Sequence, residues 1–217
     1  MTTDLNIATF VDPQFGENAY VVSCREGGPC WIIDPGLPPS AKEILTHIDA
    51  HGLQPAALVL THGHLDHIAG VPDVLKAHDA LPIYMAEAAQ PALTDPSANL
   101  SVETGMPVVV GRFEAHDLPA DGTLPLDGTT WRVFDTSGHA PGSRSLYCAE
   151  AGVVFVGDAL FAGSIGRTDF HHSEPGVFIR NIRERLLTLP EATRVYSGHG
   201  PVTTIGAERR TNPFLQG

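Results

Sequence analysis

Ala56-Ala57-Leu58-Val59-Leu60-Thr61-His62-Gly63-His64-Leu65-Asp66-His67-Ile68-Ala69-Gly70 decides how the rest of the chain is read. Its first five residues form a continuous apolar run, the pattern of a short strand covered on both faces. Three His and one Asp then fall within positions 62–67. A helix is predicted from Ile68 to His78. In an extended loop His62 and His64 project to one side, as alternate residues of a strand do. Gly63 allows close approach of the backbone. Asp66 and His67 turn into the helix and can face a second ion. Imidazole and carboxylate at this density are the donors of a transition-metal site. Three crowded imidazoles have little physical reason to meet otherwise.

Working outward, the same pattern returns. His139 lies in Thr136-Ser137-Gly138-His139-Ala140-Pro141-Gly142, after the run Trp131–Asp135. Asp158 ends Val153-Val154-Phe155-Val156-Gly157, and His199 lies in Ser197-Gly198-His199-Gly200-Pro201, after Arg194–Tyr196. One His or Asp at a strand end is usually a cap or turn residue. Several of them, each beside Gly, point to loops that converge at one sheet edge, where function is carried.

The remaining runs supply the frame. Strands are predicted at Leu5–Val11, Asn18–Cys24, Cys30–Ile33, Pro82–Met85, Pro107–Val110, Thr130–Asp135, Ser143–Cys148 and Val153–Val156. Helices are predicted at Ser40–His51 and Pro175–Leu187. Leu93–Gly105 has weak periodicity and reads as a long surface loop. Strands and helices thus come in two similar rounds, each ending in a His-bearing loop. Two sheets with outer helices fit best.

Composition bounds the function. The chain has 217 residues, so at roughly 150 residues per domain one domain spanning 1–217 is expected. Lys plus Arg number 13 and Asp plus Glu 25, a net charge of −12. That excludes nucleic-acid binding by general basic charge and argues against docking on anionic membranes. No apolar run nears the ~18 residues of a membrane span. The first ten residues lack a basic region, so no secretory signal is read there. Three cysteines, Cys24, Cys30 and Cys148, read as reduced thiols of a cytoplasmic chain. Cys24 and Cys30 flank a Gly-Gly-Pro turn and read as small, half-buried strand residues. Eleven His in an acidic chain remain the outstanding feature.

Taken together, His62, His64, Asp66, His67, His139, Asp158 and His199 resemble the ligand set of the metallo-β-lactamase superfamily, in order along nearly the whole chain. The resemblance implies an α+β fold, a four-layer αβ/βα sandwich of two mixed sheets, with two divalent ions at one edge. Zinc is the expected metal, with iron or manganese as alternatives. By the resemblance one ion takes His62, His64 and His139, the other takes Asp66, His67 and His199, and Asp158 bridges them. Asp66 and Asp158 are the expected catalytic carboxylates. Asp34, in Ile32-Ile33-Asp34-Pro35-Gly36, would fix the His loop from behind.

Departures narrow the branch. The main dizinc β-lactamases carry Cys where this chain has Asp158, so antibiotic hydrolysis is not expected. Flavodiiron relatives carry an acid at the His64 position. Two features resemble glyoxalase II, in its short bacterial form. Arg167 follows Asp158 by nine positions, where that group has a basic residue on glutathione. The tail from His199-Gly200-Pro201 to Asn212-Pro213-Phe214 is also similar. Only 18 residues follow His199, so no additional C-terminal helical domain is expected. The implied activity is hydrolysis of a glutathione thioester such as S-lactoylglutathione by a metal-held hydroxide. Two ions, Asp66, Asp158 and hydroxide leave about +1 at the site, so an anionic substrate can approach an acidic protein. A thiolate of pKa near ~8.5 leaves without a dedicated acid.

Three rivals stand beside it. A persulfide dioxygenase shares a segment like Gly166–Phe170 and would hold one Fe(II) on His62, His139 and Asp158. A lactonase or other small-ester hydrolase would use the same two ions. A non-catalytic metal module would be expected only with ligands missing. His47, His51, His78 and His116 read as surface residues. His171 and His172 fall beside the expected pocket mouth, within reach of substrate. Tyr147, Tyr196 and Trp131 read as core. Nothing demands an oligomer, and a monomer is expected.

Overall fold

The computed structural model describes residues 4–111 and 113–216. Its first sheet runs in the order β1 (Asn6–Val11), β2 (Asn18–Ser23), β3 (Pro29–Ile33), β4 (Gln54–Val59), β5 (Ile83–Met85) and β6 (Ala115–Asp117). Its second runs β12 (Thr203–Thr204), β11 (Arg194–Ser197), β10 (Val153–Gly157), β9 (Arg144–Cys148), β8 (Thr129–Asp135) and β7 (Thr123–Leu126). Both sheets mix parallel and antiparallel pairs, as expected.

The strands read as unbroken apolar runs because both of their faces are buried. Successive side chains of a strand point to opposite sides. Val22, Trp31, Ile33 and Val59 therefore meet Trp131, Val133, Leu146, Val153 and Phe155 between the sheets. The rings of Trp31 and Trp131 lie 5.5 Å apart there. The alternate residues Val21, Ile32 and Leu58 face outward onto α1 (Pro38–Ala50) and α3 (Val71–Ala77), through Ile44, Ile48, Val71 and Val74. Val154, Val156 and Val195 pack on Phe178 of α4 (Pro175–Asn181) and Ile205 of α5 (Ile205–Thr211). The result is helix, sheet, sheet, helix, the four layers that the resemblance implies. Trp131, Tyr147 and Tyr196 are buried, as expected.

Four expectations need correction. Pro107–Val110 is not a strand. Its backbone donors go to the neighbouring loop instead, Val108 N–H to Ser101 Oγ (2.8 Å) and Val110 N–H to the Leu93 carbonyl (2.7 Å). The edge strand on β5 is β6. Leu93–Gly105 is exposed along most of its length but is not structureless: it contains a 3-10 turn (Ser101–Thr104) and is anchored by the fully buried Leu93, Asn99 and Ser101. Asn99 Nδ2 satisfies the Ala92 and Val108 carbonyls from inside it, which lets a polar sequence fold inward. The helix predicted over Ile68–His78 is two, α2 (Leu65–Ile68) and α3, broken at Gly70. A β-carbon at Gly70 would stand 2.7 Å from the Pro35 carbonyl, because the Asp34–Gly36 turn packs against it. The helix predicted over Pro175–Leu187 changes to a π turn at Ile182–Leu186.

β8, β10 and β11 run in one direction, as do β3 and β4, so each group presents its C-terminal ends together. The two edges are tied by Asn18 Nδ2 to the Ser197 carbonyl (3.0 Å), Tyr20 OH to the same carbonyl (2.6 Å) and Arg144 N–H to the Thr61 carbonyl (2.8 Å). Past β8 the chain turns at Gly138, whose φ of +126° suits only glycine. A β-carbon there would come within 2.6 Å of the Phe178 backbone. Gly138→Ala is therefore expected to cost about 3 kcal/mol through overpacking and backbone strain. Thermal denaturation should show a fall in Tm of roughly 6–12 °C.

Candidate metal centre

Every candidate ligand sits just beyond a strand end on the shared edge. His62 and His64 follow β4, and Asp66 and His67 open α2. His139 lies beyond β8, Asp158 directly follows β10, and His199 lies just past β11. Ligand atoms of His62, His64 and His139 fall within 4.8 Å of one another. Those of Asp66, His67 and His199 do the same. Asp158 stands between the groups. Its Oδ1 is 3.3 Å from His67 Nε2, and its Oδ2 is 3.4 Å from His139 Nε2 and 3.6 Å from His199 Nε2. His199 Nε2 is also 3.3 Å from Asp66 Oδ2.

The nitrogens facing away from this cluster are held by the protein. His62 Nδ1 is 3.1 Å from Thr61 Oγ1, His67 Nδ1 is 3.0 Å from Asp34 Oδ2, and His139 Nδ1 is 2.7 Å from the Arg167 carbonyl. Asp34 also accepts from Thr61 N–H (2.8 Å) and Thr61 Oγ1 (2.6 Å). A third close group, Asp34, His62 and His67, exists geometrically. Asp34 is already committed to these three donors, so it fits the supporting role rather than a ligand's. Its φ of 46° is a left-handed backbone, unusual for a non-glycine residue.

Three buried atoms that face the cluster, His62 Nε2, His67 Nε2 and Asp158 Oδ1, have no hydrogen-bond partner. Buried polar atoms are rarely left so, and here they converge on one place. Burial, aided by the neighbouring imidazoles, drives His62 far below the ordinary histidine range and His64 down to about 3. Burial would lift Asp158, but the charges of His67, His62 and His199 beside it outweigh that and hold the carboxyl well below its usual range. Burial would lower His67, yet Asp158, Asp66 and Asp34 raise it well above normal. A proton on His67 thus stands where the surrounding carboxylates call for a cation. Lone-pair imidazoles beside ionised carboxylates are the protonation states that metal binding requires. The donor set fits divalent metal.

A cavity of about 500 Å³ opens onto His64, Asp66, His139, Asp158 and His199. Its outer wall is Phe15, Leu100, Phe161, Ile165 and Phe170, with Glu103 and Arg167 among them. Arg167 lines the cavity, but its charge is shared. Nε and Nη2 bind Asp169 at 2.9 and 2.8 Å, and the guanidinium lies 4.6 Å from the centre of the Phe170 ring. Sequence reasoning missed Thr61, Phe15, Leu100, Glu103 and this Asp169 pairing. The Arg-Thr-Asp-Phe order was the available signal for the last. His172 lies against His64.

The chain belongs to the metallo-beta-lactamase superfamily, whose family model matches residues 12–199. It is 39% identical to the probable metallo-hydrolase YqgX of Bacillus subtilis, over 92% of each chain. It is 36% identical to the hydroxyacylglutathione hydrolase GloC of Haemophilus influenzae, over 97% of this chain and 98% of that one. The crystal structure of BLEG-1 B3 metallo-beta-lactamase superposes with a TM-score of 0.91 at 38% identity, covering 98% of this chain and 100% of that one. TTHA1623 in a di-iron-bound form superposes at 0.82 with 36% identity, covering 96% and 100%. No helix among the described residues is long and apolar enough to cross a membrane.

Asp34→Ala frees both Thr61 and His67. Loss of such a supporting partner is expected to weaken metal binding about 10–100-fold. Chelator competition against the purified protein measures it, and unchanged retention would remove Asp34 from this role.

Proposed function

We propose that the chain is a dinuclear metal-dependent hydrolase that cleaves a glutathione thioester such as S-lactoylglutathione. The observation that carries this reading is the position of Asp158. Its two oxygens lie within 3.3–3.6 Å of nitrogens from both triads, the arrangement of a carboxylate shared by two ions. His62, His64 and His139 would hold one ion, and Asp66, His67 and His199 the other. Zinc and iron both suit these donors, and the di-iron form of a relative at 36% identity supports a pair.

Divalent ions, when bound, lower the pKa of water to about 7 and polarise a carbonyl oxygen. The side chains do the rest. Asp66 and Asp158 hold negative charge at fixed points, so the geometry is set before substrate arrives. Phe161 and Phe170 wall the cavity and would give the acyl group an apolar surface to pack on. Arg167 retains Nη1 for a carboxylate, while Asp169 and Phe170 fix its direction. A thiolate leaving group, pKa near ~8.5, needs no proton donor. The similarity to GloC supports the glutathione carrier.

A β-lactam is the reading raised by the BLEG-1 structure. Its leaving nitrogen needs a proton. Outside the proposed ligands, Glu103 is the one carboxylic acid among the described residues lining the cavity. Glu103 is exposed on the outer wall, whereas a thiolate needs no such donor, so thioester is the expected better substrate.

Elemental analysis with parallel assays tests the proposal. Two ions per chain and S-lactoylglutathione hydrolysis are expected. One iron per chain, with O₂ uptake on glutathione persulfide, would overturn it in favour of a dioxygenase. Asp158→Ala is expected to lose at least one ion and nearly all hydrolysis, and full metal with wild-type rate would sink the bridging role. Arg167→Ala is expected to raise KM about tenfold, with kcat little changed. An unchanged KM would take Arg167 out of the substrate site.

A further inference from the structure

His64 differs from the other imidazoles of the first triad. His62 and His139 present Nε2 to the cluster and have Nδ1 held from behind, by Thr61 Oγ1 and the Arg167 carbonyl. His64 is reversed. Its Nδ1 lies 3.0 Å from His139 Nε2, inside the cluster, so its outer nitrogen is Nε2. That atom lies 3.0 Å from His172 Nε2. Two imidazole nitrogens at this distance share one proton, with one donating and the other accepting. A ligand nitrogen must keep its lone pair, so the proton of His64 belongs on Nε2. His172 must then accept through Nε2 and carry its own proton on Nδ1.

We propose that His172 is a positioning residue for the first ion, holding His64 as the tautomer whose Nδ1 faces His62 and His139. The inference rests on the reading that this triad holds an ion. The segment around His172 is built against the same ligands. The Phe170 ring packs edge-on to His64 (5.1 Å between centroids) and stacks on His172 (5.8 Å). Ser173 Oγ donates to the His139 carbonyl (2.9 Å), and the Arg167 carbonyl accepts from His139 Nδ1. One short run of chain therefore steadies two ligands of the first ion while its Arg167 and Phe170 line the cavity. Nothing comparable from this run reaches Asp66 or His67 among the described hydrogen bonds, so its influence should fall on one ion and not the other.

The test is a Co(II) titration of the metal-stripped chain, followed by its visible spectrum. Wild type, His172→Phe and His172→Gln are compared. Phenylalanine keeps a ring to stack on Phe170 but cannot accept a proton. Glutamine can accept with its side-chain oxygen at a similar reach. Circular dichroism and Tm confirm folding of each. Two binding steps are expected for wild type. His172→Phe should weaken one step about 10–100-fold and leave the other unchanged. His172→Gln should recover most of the loss. In a His199→Ala background, where the second ion's site is damaged, the step sensitive to His172 should persist. Equal affinities for all three proteins would overturn the proposal and leave the metal reading intact. So would an equal weakening of both steps, or a loss not rescued by glutamine. A wild-type chain that takes up no Co(II) would overturn the metal reading itself, and this proposal with it.

Discussion

Asp34 accepts three hydrogen bonds in a place from which water is excluded. Thr61 gives two of them, one from its backbone and one from its hydroxyl, and His67 gives the third. Hydrogen bonds to a charged group contribute about 1.5–3 kcal/mol each. Here they also have geometric work. Thr61 begins the loop that carries His62 and His64, and His67 stands one helical turn further on. One carboxylate at the end of β3 therefore sets the direction of candidate ligands from both triads. The left-handed backbone at Asp34 is stored strain of the kind that surrounding structure must outweigh. Gly198 makes room on the opposite side, because a β-carbon there would fall 2.7 Å from the His67 ring.

The cluster is costly to the chain taken alone. Glu17 adds to it, since neither of its buried carboxylate oxygens has a partner. Burial, opposed by His67 and reinforced by Asp34, Asp66 and Asp158, holds its carboxyl well above the usual range. Glu17 Oε1 lies 3.8 Å from His67 Nδ1, so the raised carboxyl favours its uncharged form among these carboxylates. The unpartnered atoms of His62, His67 and Asp158 have no such internal remedy. Anything that binds the folded state alone adds stability by mass action, about 2.7 kcal/mol at a hundredfold excess over Kd. On the proposed reading, folding and metal loading of this chain are thus linked.

Much of this was legible from residue order. Strands buried on both faces gave themselves away as unbroken apolar runs, and polar ligands at their ends stood out against that background. Gly beside His62, His64, His139, Asp158 and His199 reported crowding before any coordinates did. Other features could not be read. Asn99 and Ser101 look like loop surface, and only the fold reveals that they are buried and serve the backbone around them. Val108 and Val110 alternate like a strand because they pack inward, while their hydrogen bonds go to a turn. His172 and His64 are 108 positions apart, so no local pattern could pair them. The tautomer argument needs that contact.

The acidity of the chain takes on a sharper meaning at the cavity. A net charge of −12 repels an anionic substrate from the general surface. Arg167 does little to reverse this by itself, because Asp169 neutralises it and Glu103 lies on the same wall. Local positive charge must then come mainly from ions held by a donor set that carries only two carboxylates, Asp66 and Asp158. On the proposed reading charge and chemistry would share one origin, and discrimination between substrates would fall to the apolar wall of Phe15, Leu100, Phe161, Ile165 and Phe170. Those residues come from loops, which can vary without disturbing the strand ends that carry the ligands. One scaffold thus carries proteins as differently named as GloC and BLEG-1, and fold alone does not choose between their activities.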